Sequence, residues 1–293
     1  MKESEPVSAL VVSGFLGSGK TTLVRSLLAD AQRNGVRLAV VSNEFGELGI
    51  DRALFADAGD EYVELSGGCV CCRLSDALVE TLQTLREKAN PDRIVIETSG
   101  VALPYDVQLN FWREPIASWV ADEVAVVVVN AEQLAQGRDL EGTFEHQVSS
   151  ADLLVLNKVD LVPDSERTRL EKLLREIEPE APIVHSVQAE VDPALLFPPD
   201  PDGVRARRRK DPAEPTPHHH EEFAAEALTI EAGVAPERLI ERLSALGCLR
   251  AKGFVETSEG PRLVQGVGAR IELAPVSAPP PELLGRVVVI RRP

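Results

Sequence analysis

The sequence predicts an α/β fold, in which a parallel sheet with helices on both faces is followed by a small C-terminal α+β domain. Near-continuous apolar runs, which are typical of parallel strands buried on both faces, alternate with helical patterns over residues 1–191. A proline-rich, charged stretch at 192–222 interrupts this alternation and indicates a linker. Residues 223–293 then contain short strand-like segments and one helical pattern, which predicts a second domain.

The segment VVSGFLGSGKTT, from Val11 to Thr22, has the spacing of a P-loop. An apolar strand pattern precedes it and an apolar helical pattern follows it, so the glycines fall in a strand-to-helix turn and the sheet is predicted to be that of a P-loop NTPase. Backbone N–H groups of such a turn bind phosphate oxygens, the lysine reaches the β and γ phosphates, and the hydroxyl after it can ligate Mg²⁺. The residues predicted to contact the nucleotide here are Gly14, Gly17, Ser18, Gly19, Lys20, Thr21 and Thr22.

Composition limits the possible partners. The chain of 293 residues has 44% hydrophobic residues, enough for a sizeable core, and a formal net charge of −16. An acidic balance argues against nucleic acid or an anionic membrane surface as a partner and suits a protein that handles cations. The N-terminal residues have no signal-peptide pattern and no run is long enough to span a membrane, so we expect a cytoplasmic protein.

An acidic segment, Asn43–Asp51, follows the second predicted strand at 36–43. Its glycines and carboxylates suit either a switch segment that senses the γ-phosphate or Mg²⁺, or an ordinary acidic surface loop, and the segment alone does not decide between them. Its carboxylates Glu44, Glu47 and Asp51 are the candidates for positioning the attacking water.

Three cysteines follow a short strand predicted at 62–65 and precede a helix predicted at 74–89. Cys69, Cys71 and Cys72 occupy four consecutive positions after two glycines, which is too close for a disulfide scaffold. Three thiolates on a tight turn can bind one Zn²⁺ or Cu⁺ ion, with a fourth ligand from water, a linker histidine, a partner protein or a carboxylate such as Glu47. Metal binding is the preferred interpretation, and buried structural cysteines or a redox pair are the alternatives.

A strand predicted at 93–100 places a carboxylate and a glycine at its carboxyl end. In a P-loop enzyme this is where a carboxylate holds Mg²⁺ and a glycine N–H contacts the γ-phosphate. We therefore assign Glu97 to Mg²⁺ and Gly100, together with Lys20, to the γ-phosphate.

Two further strands are predicted at 123–130 and 152–156, joined by a helical stretch, and the second leads directly into Asn157, Lys158 and Asp160. An aspartate at this position can accept both N1–H and the exocyclic amine of guanine, which favours GTP over ATP. Asn157 and Lys158 are predicted to contribute to the same base site. A helix at 161–178 and a closing strand at 182–186 follow, and the loop at 186–189 is expected to contact the base through its backbone.

The linker at 192–222 carries a basic run, Arg205–Lys210, and three histidines, His218–His220. The basic run is interpreted as a solvated stretch, with docking to an acidic partner as the alternative. The histidines either collect metal ions for a nearby site or are ordinary polar linker. In the C-terminal domain, five strands and a helix at 236–246 are predicted, and Cys248 is interpreted as a small buried hydrophobic residue.

These motifs together resemble the CobW-type GTPases, which include metal-insertion GTPases and zinc chaperones and are akin to the urease- and hydrogenase-maturation GTPases. The resemblance rests on GFLGSGKTT, NEFGELGID, ELSGGCVCCRL, IETSG and NKVD in this order, and covers residues 7–190; LRAKGFVET at 249–257 resembles the family's C-terminal domain less strongly. It implies GTP hydrolysis coupled to delivery of a transition metal, with Cys69, Cys71 and Cys72 as the metal motif. It also implies that Asn43–Asp51 moves with nucleotide state.

The main functional hypothesis is a Mg²⁺-dependent GTPase that binds GTP and GDP and transfers a transition metal, Zn²⁺ in the first instance, to a client metalloprotein. Insertion of cobalt, nickel or iron is a variant of this hypothesis, since thiolate sets bind several of these metals. A metal buffer or sensor regulated by GTP is a second hypothesis, and a P-loop small-molecule kinase that prefers ATP is a third. We make no prediction of oligomeric state.

Overall fold

A computed structural model of the chain describes residues 7–42, 62–64, 74–137, 142–198, 224–267, 270–277, 279, 281 and 283–291. The described residues up to 198 belong to one compact unit and those from 224 onward to a second. Cys69, Cys71, Cys72, Glu44, Glu47, Asp51 and His218–His220 lie outside the described residues.

The first unit is built on a seven-stranded sheet in which every pairing is parallel. The strand order is β3-β2-β4-β1-β5-β6-β7. This confirms the predicted fold class. The strands are β1 Val7–Ser13, β2 Leu38–Ser42, β3 Tyr62–Glu64, β4 Arg93–Glu97, β5 Val120–Asn130, β6 Leu153–Asn157 and β7 Ile183–Ser186.

Seven α-helices are described in this unit, with 3-10 turns at Ile116–Ser118 and Val159–Leu161. On β1, alternate residues such as Ala9 and Val11 pack in a core cluster with side chains of α2 and α3, whereas Leu10 points to the opposite face and is also fully buried. The helices are α1 Lys20–Asn34, α2 Leu74–Lys88, α3 Pro104–Phe111, α4 Ala131–Ala135, α5 Thr143–Ser149, α6 Asp164–Ile177 and α7 Pro193–Leu196.

All seven strands of this sheet end in a polar residue, and the strands are parallel, so these residues lie along one edge. In a parallel α/β sheet this carboxyl edge is where ligands bind. The six of these residues other than Glu64 are buried. In spatial order they are Glu64, Ser42, Glu97, Ser13, Asn130, Asn157 and Ser186.

The second unit is a five-stranded antiparallel sheet of order β11-β10-β9-β12-β8 with one α-helix, α8 Pro236–Ala245. Leu239 and Leu243 of α8 pack in a core that also contains Cys248. Burial raises the pKa of the Cys248 thiol, which therefore stays protonated, and this confirms its interpretation as a buried apolar residue. The strands are β8 Ala224–Thr229, β9 Arg250–Thr257, β10 Gly260–Val267, β11 Arg270–Pro275 and β12 Arg286–Arg291.

The structure corrects several element boundaries. β5 begins at Val120 rather than at residue 123, because the buried Glu123 carboxylate accepts a hydrogen bond of 2.7 Å from Trp112 Nε1 and is accommodated inside the strand. α6 begins at Asp164, after a 3-10 turn, and Pro163 only precedes it. The helical stretch predicted between β5 and β6 consists of two short helices, and α3 was not predicted.

The expected start of the linker at residue 192 is also wrong. Asp192 caps α7 by accepting a hydrogen bond from Ala194 N, and Leu196 in that helix is fully buried. Residues 192–198 are therefore part of the first unit, and their proline content reflects a helix start rather than a linker. No helix in the described part of the chain is long and apolar enough to cross a membrane.

Candidate functional site

The N-terminus of α1 meets the carboxyl edge of the sheet through Gly19. This residue has a φ of 114° and lies so close to Asn157 that an added Cβ would be 2.3 Å from Asn157 Nδ2. Only glycine satisfies both conditions. The first turn of α1 contains no acidic residue, and among the described residues no side chain caps it. Its N–H groups and the positive end of its dipole therefore form an anion site.

Lys20 lies across the turn that precedes it. Its Nζ donates to the carbonyl oxygens of Gly14 at 2.8 Å and Phe15 at 3.4 Å, and the residue is buried. These bonds hold the ammonium group over the loop, where a phosphate bound by the loop N–H groups would meet a positive charge.

Two asparagines hold the other half of the loop. Asn130 and Asn157 end neighbouring strands and are paired in register. Asn157 Nδ2 donates to Ser18 O at 2.8 Å, and Asn130 Nδ2 donates to Gly17 O at 3.4 Å. Asn130 was not predicted as a site residue. Its sequence position suggests only its second role, in which Oδ1 accepts from Glu132 N and Gln133 N and caps α4.

The carbonyl end of Asn157 contacts the loop after β7. Its Oδ1 accepts from Ser186 Oγ at 3.0 Å and from Ala189 N at 2.8 Å. Gln188 and Ala189 both adopt left-handed backbone conformations, so the loop turns sharply and Ala189 is fully buried. Asn157 therefore joins the P-loop to the loop at 186–189, which was predicted to contact a base.

Lys158 and Asp160 follow Asn157 at the same edge. Lys158 has a φ of 61° and precedes the 3-10 turn that contains Asp160, and Asp160 is exposed to solvent. The turn directs the chain outward after the buried β6, so an exposed carboxylate follows Asn157 by three positions at this edge of the sheet. This arrangement leaves Asp160 available to a base, whereas most of the hydrogen-bonding capacity of Asn157 is used within the protein.

Thr21 and Glu97 are brought together as predicted. Thr21 Oγ1 donates to Glu97 Oε1 at 2.6 Å, and Glu97 is only 3% exposed. A hydroxyl and a carboxylate oxygen at the start of α1 are hard donors of the kind that Mg²⁺ prefers, so the residues present fit this ion. Thr22, the next residue of α1, is exposed.

The loop after β4 lies against the P-loop. A Cβ added to Gly100 would come within 3.0 Å of Leu16 Cα, so the close approach of the two loops depends on this glycine. Gly100 thus lies beside the phosphate-binding turn, where it was predicted.

The predicted thiolate site cannot be described in the same way, since the three cysteines and Glu47 lie outside the described residues. Within the described ranges, no group of three or more histidine, cysteine, aspartate or glutamate residues could hold a metal ion. The start of the cysteine segment is nevertheless located. Glu64, the last residue of β3, pairs with Ser42 of β2, which pairs with Glu97 of β4.

Two family models match the chain. Residues 8–185 match the nucleotide-binding domain of CobW/HypB/UreG, and residues 223–292 match the C-terminal domain of the cobalamin synthesis protein cobW. The two matches correspond to the two structural units.

Two proteins of known name and one solved structure are also similar to this chain. The zinc chaperone CobW of Sinorhizobium sp is 32% identical over 91% of this chain and 86% of its own length. The zinc-regulated GTPase metalloprotein activator 1 of Schizosaccharomyces pombe is 35% identical over 64% of this chain and 47% of its own length. A solved structure of a Zn(II)-bound triple mutant of the YjiA GTPase has the same fold, with a TM-score of 0.51, 24% identity, and coverage of 98% of this chain and 95% of that chain.

Asn157→Asp tests whether its amide supports the P-loop. The new carboxylate still accepts the hydrogen bonds from Ser186 Oγ and Ala189 N, but it has no N–H to donate to Ser18 O. We therefore expect nucleoside triphosphate affinity to fall roughly 10- to 100-fold. Isothermal titration calorimetry measures this.

Asn110→Asp is the matched control. Asn110 is also a buried asparagine whose Nδ2 donates to carbonyls, but those carbonyls, Asp106 O and Val107 O, are in its own helix α3. We expect this variant to lose stability and keep its nucleotide affinity. Equal affinity losses in the two variants would contradict a specific role of Asn157.

Proposed function

This chain belongs to the CobW/HypB/UreG family, and we propose that it uses GTP hydrolysis to bind a transition metal ion, zinc in the first instance, and to transfer it to a client metalloprotein. It is a GTPase, as its family and its relative named a zinc-regulated GTPase indicate. The zinc assignment is supported by the relative named a zinc chaperone.

The register of three neighbouring strands supports the proposed coupling between nucleotide and metal. In the register β3-β2-β4, Glu64, Ser42 and Glu97 stand at the same level of the sheet. Adjacent strands are about 4.8 Å apart, so the segment that contains the three cysteines starts roughly 10 Å from the carboxylate assigned to Mg²⁺. The acidic segment from residue 43 starts between them, directly after Ser42. The proposed coupling would therefore begin from strand ends that lie close together at one edge of the sheet.

The nucleotide contacts follow from the site geometry. The N–H groups of the turn that includes Gly14, Gly17, Ser18 and Gly19 bind the phosphates, and Lys20 and Gly100 contact the γ-phosphate. Thr21 and Glu97 hold Mg²⁺, which supplies charge neutralisation to the triphosphate when bound. Lys158 and the outward-facing Asp160 contact the guanine, and Asn157 fixes the loop on the other side of the base. These assignments rest on position and hydrogen bonding.

Cys69, Cys71 and Cys72 hold the transported metal as thiolates in this proposal. Cys248 is an unsuitable ligand, because it is buried in the core of the second unit and its thiol pKa is raised. The proposed thiolate ligands of the cargo metal are thus confined to the segment between β3 and α2.

Asp160→Asn tests the guanine site. The amide accepts from N1–H but opposes the exocyclic amine of guanine with its own N–H, so GTP affinity should fall roughly 10- to 100-fold. Xanthosine triphosphate carries a carbonyl at that position, and its affinity should rise in the variant. Competition binding with GTP, xanthosine triphosphate and ATP measures this; unchanged GTP affinity, or ATP preference in the wild type, would favour the kinase hypothesis instead.

Single-turnover hydrolysis separates a transfer cycle from a GTP-regulated buffer. We expect the wild type to release phosphate from GTP when Mg²⁺ is present, and Glu97→Gln to slow this step about 100- to 1,000-fold, because the charge that holds the cation is lost. Glu123→Gln is the control, since Glu123 is also a buried carboxylate but lies near the start of β5, which pairs with β1 and β6, and is remote from the carboxyl edge. Absence of wild-type phosphate release, with or without Zn²⁺, would refute the transfer cycle.

Zinc titration in two nucleotide states tests the coupling. We expect Zn²⁺ affinity to differ about 5- to 150-fold between the GDP complex and the complex with a non-hydrolysable GTP analogue. Cys71→Ser should weaken Zn²⁺ binding and remove most of the difference, whereas Cys248→Ala should retain both. Identical Zn²⁺ affinities in the two states of the wild type would refute coupling, and parallel titrations with Co²⁺, Ni²⁺ and Fe²⁺ establish the metal preference.

A further inference from the structure

A side-chain amide from α5 reaches the loop after β4. Gln147 is fully buried, and its Nε2 donates to Ala102 O at 2.8 Å and to Gly100 O at 3.3 Å. Its Oε1 is buried and has no hydrogen-bond partner among the described residues. The reversed amide would place Oε1 against the two carbonyl oxygens, so the two acceptors determine its orientation. The amide thus gives both of its N–H bonds to a single loop.

Beyond Thr98, whose hydroxyl donates to Ser13 Oγ and Ser99 O, few other hydrogen bonds hold this loop. Residues 98–103 lie between β4 and α3 without regular structure, and their internal backbone bond is Ala102 N to Ser99 O at 3.2 Å. Thr98 N donates to Val12 O at 3.0 Å, which holds the start of the loop to β1. Ala102 O also lies 3.5 Å from Ser13 Oγ, at the limit of a hydrogen bond. The carbonyls of Gly100 and Ala102 therefore rely mainly on Gln147, and both residues are buried away from water.

The loop and the P-loop are held by different side chains. Asn130 and Asn157 hold the carbonyls of Gly17 and Ser18, whereas Gln147 holds only the loop after β4. GDP and GTP share the contacts of the P-loop turn, and the γ-phosphate adds the contact assigned to Gly100. Loss of the Gln147 amide should therefore lower the affinity for GTP and leave the affinity for GDP largely unchanged.

The geometry points to Gln147 as a positioning residue that sets the Gly100 segment for the γ-phosphate and so determines the preference for GTP over GDP. This role rests on the proposed GTP site. Gln147 does not touch the nucleotide; it fixes the peptide plane next to the N–H that does. It also ties that plane to α5, which precedes β6 and the base-binding residues in the chain.

Gln147→Met tests this inference, because methionine keeps the length and packing of the side chain but removes its N–H groups. We expect affinity for a non-hydrolysable GTP analogue to fall roughly 10- to 100-fold and affinity for GDP to change less than about threefold. Gln147→Glu retains the shape but directs carboxylate oxygens at the two carbonyls, and should shift the affinity ratio in the same direction. Calorimetric titration with each nucleotide gives the ratio.

Gln108→Met is the matched control, since Gln108 is a buried glutamine in α3. Its GTP-to-GDP affinity ratio should equal that of the wild type. Thermal unfolding identifies a purely structural effect, in which Gln147→Met lowers stability and reduces the affinities for the GTP analogue and GDP equally. That result would overturn the inference. An unchanged affinity ratio in both Gln147 variants would also overturn it. Failure of the wild type to bind guanine nucleotides would instead refute the proposed function.

Discussion

The structure depends on a conflict within the P-loop backbone. A turn that directs successive N–H groups inward at a phosphate must direct carbonyls elsewhere, and buried carbonyls need donors. Here the donors are side chains: Lys20 Nζ, from the same loop-helix segment, donates to Gly14 O and Phe15 O, while Asn130 and Asn157, from distant parts of the chain, donate to Gly17 O and Ser18 O. The anion site is therefore preformed, because asparagine side chains at the ends of β5 and β6 fix the carbonyl groups of the turn. Burial of these amides at the sheet edge shields their bonds from competition with water.

The parts of this site that sequence reasoning could predict are those whose signal is local. The P-loop, Glu97 and Asp160 each follow a recognisable strand, and a strand end in a parallel sheet implies a position near the ligand. Asn130 and Gln147 carry no such signal, since the residues joined by their hydrogen bonds are 113 and 45 positions apart, respectively. These contacts depend on strand order and helix packing, which periodicity does not specify. The strand predicted at 123–130 instead begins at Val120, which pairs with Val7 of β1, a contact that the local pattern does not specify.

Strand order is also the structural basis of the proposed coupling between metal and nucleotide. β2 and β3 continue the sheet beyond β4, so three consecutive strands release their following segments at one edge. The segments that follow these strands contain the acidic residues, the cysteines and Gly100, in that chain order. Close packing of the sheet keeps the ends of these strands fixed relative to one another. Gln147 restrains one of the three, which gives the proposed cycle a stationary reference for the γ-phosphate.

Electrostatics places a further requirement on the site, since a chain with a formal charge of −16 must bind a polyanion. The overall field opposes the nucleotide, so the attraction must be local, from the uncapped N-terminus of α1 and from Lys20. Glu97 opposes this attraction, because a buried carboxylate beside Thr21 repels phosphate oxygens. In the proposed site, Mg²⁺ held by Thr21 and Glu97 would supply positive charge that offsets this repulsion. The carboxylate would then discriminate against the bare nucleotide and favour its magnesium complex, so cation binding and nucleotide binding would be cooperative.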